Sequence, residues 1–150
     1  LLVLAGAVGC RRALRAQRGG TWGPILLGVY GLGRVGAGCF PADPGQGFPP
    51  GSPATQTLSR AGVLHFAFGG AGFYALIAAC FVFGSRFLRT GRKGLAWFSR
   101  ATGAAFFAAF AAVASGSVSP TVMIAFYLAV ALAWAWHTCV LWQIGPHRHP

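Results

Sequence analysis

Acid is what this sequence lacks most. Its 150 residues hold twelve Lys and Arg but one acidic residue, Asp43, and no glutamate. Catalysis by paired carboxylates needs two carboxyl groups and is excluded within this chain. Charge of either sign is scarce: 9% of residues are charged, 55% are hydrophobic, and mean hydropathy is +0.61. A soluble domain carries about 25% charged residues, so this chain cannot cover a water-facing surface. The four cysteines, Cys10, Cys39, Cys80 and Cys139, fall one per apolar run with no C-x-x-C pair. That spacing offers no metal site and leaves them as small apolar filler. No methionine opens the chain, and Leu1 already lies inside an apolar run. No basic stretch precedes Leu1–Cys10 and Arg11-Arg12 follows at once, so this segment reads as the end of a truncated membrane helix and not as a signal peptide.

What is present is apolar length. Residues 1–10 are a partial span, and runs over 22–40, 60–83, 97–115 and 121–142 are each long enough to cross a hydrocarbon core of about 30 Å. The expectation is an all-α, polytopic transmembrane helix bundle: a single domain over 1–150 with four complete spans plus the end of a fifth, and about six spans in an intact protein. Pro24 is tolerated in a first turn, where no intrahelical donor is needed, and Trp22 suits an interface. Between 41 and 59 lie five prolines (Pro41, Pro44, Pro49, Pro50, Pro53) and three glycines, which exclude a regular helix.

The net charge of +11 invites a nucleic-acid reading, but the basic residues come in short blocks between apolar runs, so no nucleic-acid partner is expected and the lipid bilayer is the partner. Ten of the twelve basic residues fall on one side if the spans alternate: Arg11, Arg12, Arg15, Arg18, Arg86, Arg89, Arg92, Lys93, Arg100 and Arg148. Short basic loops stay cytoplasmic. Loops 11–20 and 85–95 and the carboxyl terminus are therefore expected inside, and the connector 41–59 outside. A composition rich in Ala, Gly and Arg and poor in Lys suggests a GC-rich genome, hence a bacterial plasma membrane. Small residues at Gly28, Gly31, Gly33, Gly36 and Gly38, at Ala101, Ala105 and Ala109, and at Ala125, Ala129 and Ala133 predict close helix packing.

Candidate site residues gather near the single acid. Gly31-Leu32-Gly33-Arg34-Val35-Gly36 matches G-x-G-x-x-G letter by letter, but no strand precedes it and it lies inside a span, so its glycines are packing residues. Arg34 sits about 18 Å from the inner end of its run. Two readings stand: a snorkelling arginine, or an ion pair with Asp43 that holds the connector against the helix end. His65 lies near the same depth, below Asp43 and Arg60. It reads either as part of a polar site or as a hydrogen-bonded tie between helices. Haem or another metal shared by His65 and His137 is disfavoured by depth, about 7 Å against about 24 Å below the outer face. No cofactor or metal is expected. A Ser–His–acid set of Ser59, His65 and Asp43 lacks a nucleophile-elbow pattern.

The order Phe40-Pro41-Ala42-Asp43-Pro44, then a Pro/Gly connector, then Gly62-Val63-Leu64-His65 resembles the bacterial membrane-protein family labelled domain of unknown function 998. In that family an F-P-x-D-P element ending one span precedes a G-x-L-H element opening the next. The resemblance covers nearly the whole chain. It implies a bundle of about six spans and Asp43 and His65 as its polar signature, without an activity. Arg34 departs from the pattern, where an apolar residue is expected. Three functional readings follow. The first is a small transport or sensing bundle whose outer vestibule is lined by Asp43, Arg60 and His65. The second is a structural or partner-binding bundle in which those residues fasten the connector. The weakest is a membrane-embedded enzyme acting on lipid or quinone.

Overall fold

A computed structural model describes residues 1–17, 20–44, 50–52, 58–116 and 119–145. Among the described residues the apolar runs fold as five helices: α1 (Leu2–Ala13), α2 (Trp22–Cys39), α3 (Arg60–Arg89), α4 (Lys93–Ala114) and α5 (Pro120–Ile144). Among the described residues there is no strand. Much of the connector, residues 45–49 and 53–57, lies outside the described residues.

Helices run past the apolar stretches that announce them. α3 continues beyond Phe83 to Arg89, and α4 begins at Lys93. Arginine is a good helix former, and cationic Arg86 and Arg89 suit the negative end of the α3 dipole. The expected basic loop over 85–95 is therefore mostly helix. The true break is Thr90–Arg92, where Gly91 takes φ +75°. There Arg92 N–H donates to Phe87 O (2.9 Å) and Gly91 N–H to Leu88 O (3.2 Å), a Schellman turn that satisfies the last carbonyls of α3. At the start of α5, Ser119 Oγ accepts from Val122 N–H at 3.3 Å and Pro120 occupies the first turn. Pro120 thus belongs to the helix and not to the turn before it.

Each helix packs on its sequence neighbour, and α5 returns to touch α1. The closest approach is between α2 and α3. A Cβ on Gly33 would fall 2.7 Å from Gly72 Cα, so the two backbones meet without side chains between them. Gly31 packs on Leu4 of α1 and Gly36 on the Phe68 ring, whereas Gly28 and Gly38 face open space. The glycine stripe of α2 is thus split between two neighbours. The alanine stripe of α4 needs a larger correction. Ala101 and Ala105 are exposed, and α4 buries Ala96, Ser99, Thr102, Gly103 and Phe106 instead. Serine and threonine can face inward because each hydroxyl donates to a carbonyl one turn back, Ser99 to Leu95 O and Thr102 to Phe98 O, both at 2.8 Å. The buried Trp136 indole N–H then donates to Ser99 Oγ at 2.9 Å, tying α5 to α4.

The core holds Leu27, Phe83, Phe106 and Trp136, all essentially sealed. The outward surface is also apolar, with Trp22, Phe66, Tyr127, Leu128, Trp134 and Trp142 exposed. In water such a surface would drive aggregation; in lipid it is solvated. Among the described residues, three helices are long and apolar enough to cross a membrane: α3, α4 and α5, in which 18-residue windows reach mean hydropathies of 2.0, 1.2 and 1.8. They mark the chain as an integral membrane protein. α2 has 18 residues and carries Arg34 and six glycines, and it is not among these three.

Candidate functional site

Two polar devices join the end of α2 to the start of α3. The chain leaves α2 extended at Phe40 (φ −114°, ψ 118°), as a residue preceding proline must. It carries Asp43 to the amino-terminal end of α3. There Ser59 N–H donates to Asp43 Oδ2 at 2.7 Å, and Gly62 N–H donates to Ser59 Oγ at 3.0 Å. Ser59 is the N-cap, and Asp43 supplies from another segment the carboxylate that a capping box takes from its own first turn. No acidic residue lies in that first turn, so Asp43 is the negative charge facing the positive end of the α3 dipole. Gly62 leaves room for it: a Cβ there would run into the Asp43 carboxylate.

His65 makes the second device. Its Nδ1 lies 2.9 Å from both Ala37 O and Phe40 O. Both partners are carbonyls, so Nδ1 carries the proton and donates to the two. These carbonyls belong to the last turn of α2 and its cap, where intrahelical donors run out. Phe40 and Phe68 stack beside them, ring centres 5.7 Å apart and planes 6° from parallel. The ring of His65 is half-buried, and Nε2 makes no hydrogen bond among the described residues.

The structure brings Asp43 and His65 to this one corner. It does not bring in Arg34. That guanidinium lies 5.0 Å over the Phe73 ring, on an exposed face, and forms no ion pair with Asp43 among the described residues. Cation–π contact with Phe73 is what it gains there. Arg60 is exposed at the first position of α3, beside the cap but outside its hydrogen bonds. A Ser–His–acid relay is not assembled: the Ser59 hydroxyl caps Gly62, and His65 is oriented by carbonyls, not by Asp43. His137 is buried late in α5, close to Gly6 of α1, with Nε2 unpartnered among the described residues. It belongs to a different helix pair from His65.

Sequence reasoning missed the other end. Arg86 Nη2 donates to Gln17 Oε1 at 2.6 Å and Arg92 Nη1 to Gln143 Oε1 at 3.0 Å. Both pairs join segments far apart in the chain, and only the lack of acid hinted that amides would serve.

The arrangement defines a class: a helical integral membrane bundle with its polar signature at one interhelical corner. The family described as protein of unknown function DUF998 matches residues 1–143, and the chain belongs to that family. No curated protein and no solved structure matches the chain.

Proposed function

We propose that Asp43 and His65 form a clasp that fastens the α2–α3 connector, in a bundle whose role is structural or partner-binding. One observation carries this reading. Among the described residues, every hydrogen bond of the two side chains goes to backbone at a helix end: Ser59 N–H, Ala37 O and Phe40 O. Groups committed in this way hold helices together. We place the chain in a bacterial plasma membrane with α2 as a fourth span, the basic end cytoplasmic and the clasp outside. A reporter fused after Ser52 is expected to read as external, and a cytoplasmic reading would overturn that topology.

A second reading has its own support. His65 Nε2 has no partner among the described residues, so the ring keeps one nitrogen for a ligand, as a transport or sensing site requires. His65→Asn separates the two. Its amide can still donate to Ala37 O and Phe40 O but lacks the far nitrogen. The clasp reading expects stability and cellular phenotype retained together in His65→Asn and lost together in His65→Ala. Loss of phenotype in a fully stable His65→Asn protein would favour the transport or sensing reading.

A further inference from the structure

The opposite end of the bundle carries a cleft of about 660 Å³ that the clasp does not use. It is built on one face of α3. Two rows of residues spaced four apart run along it, Phe81–Ser85–Arg89 and Val82–Arg86–Thr90. Each row passes from an apolar residue to polar ones. From Phe81 to Arg89 is about 12 Å along a helix rising 1.5 Å per residue. The cleft therefore changes from hydrocarbon character to cationic character over the depth in which a phospholipid changes from acyl chain to phosphate. Gln17 closes one side from the loop after α1. Its amide oxygen accepts from Arg86, which leaves the amide N–H group as a further donor.

Arg89, at the polar end of the cleft, has no acidic side chain to meet it. Asp43 is the only one in the sequence, and it is bound to Ser59 at the other end. Volume, donors and polarity gradient point to one ligand chemistry.

We propose that this cleft binds a phosphate group and that the phosphate is that of an anionic phospholipid. Arg89, Arg86 and the Gln17 amide hold the headgroup, and Phe81 and Val82 lie along its first methylenes. A free phosphate ion would use the donors and leave the apolar part of the cleft idle.

The test is lipid retention by the purified full chain in nanodiscs, read by native mass spectrometry. Phosphatidylglycerol and phosphatidylcholine with identical acyl chains are offered together. Wild type is expected to retain phosphatidylglycerol preferentially. Arg89→Gln is expected to lower that retention about fivefold, and Arg89→Lys, which keeps the charge, to restore most of it. Arg12→Gln removes an exposed charge outside the cleft and is expected to stay within about twofold of wild type, because only a screened field is lost. Equal losses in Arg12→Gln and Arg89→Gln would overturn the proposal in favour of a diffuse basic surface. Equal retention of the two lipids would overturn it as well. Displacement of phosphatidylglycerol by millimolar inorganic phosphate would overturn the lipid as the source.

Discussion

The two ends of this bundle handle charge in opposite ways. At the α2–α3 corner a single carboxylate meets a backbone N–H and a helix dipole, and a histidine meets two carbonyls. That end is balanced from within. At the other end Arg11 and Arg92 meet neutral oxygens among the described residues: Gly20 O and Gln143 Oε1. Amides and carbonyls position a guanidinium but leave its charge in place. The first end sets a carboxylate against a helix dipole; the second holds cations with neutral groups.

The contrast breaks most readily at Gly62. Gly62→Val drives a branched side chain into the Asp43 carboxylate, and a loss of about 3 kcal/mol is expected, read as a fall in melting temperature in nanodiscs. Next is His65→Ala, which orphans the carbonyls of Ala37 and Phe40. About 2 kcal/mol is expected, with faster proteolysis of the connector as an independent readout. The basic end should respond far less. Ala16 holds φ 61°, a left-handed conformation that disfavours a Cβ, and Ala16→Gly is expected to add about 0.5 kcal/mol, since relief of that strain exceeds the entropy of glycine. Gln143→Ala removes an exposed bond to Arg92 and is expected to change stability by about 0.5 kcal/mol or less. A Gln143→Ala loss as large as that of His65→Ala would erase the distinction between the ends.

Part of this was legible from residue order. Apolar runs locate the five helices of the described residues, and for α3, α4 and α5 apolar length alone suffices to mark a membrane-spanning helix. Their ends depart from the apolar runs where chemistry other than hydropathy decides. Arg86 and Arg89 prolong α3 since charge does not stop a helix, and Gly91 stops it because a left-handed residue can close the turn. Asp43 and His65 stood out as rare polar residues at neighbouring depths. What they bond to was not legible, because backbone groups carry no sequence signature. Ser59 appeared as a possible nucleophile and proves to be a cap. Arg34 beside a lone acid suggests an ion pair, but its guanidinium lies over the Phe73 ring instead.

The Ser59–Asp43 hydrogen bond has one more consequence. It draws together the two ends of the segment that follows Asp43 and precedes Ser59, so that segment is closed at its base whatever its length. For a loop whose ends are already joined, doubling the length adds only about 0.6 kcal/mol of closure entropy. The helices on either side are therefore insulated from insertions between those two residues. An epitope or a small domain can be spliced there, and related chains can diverge in size there, while α2 and α3 keep the same register.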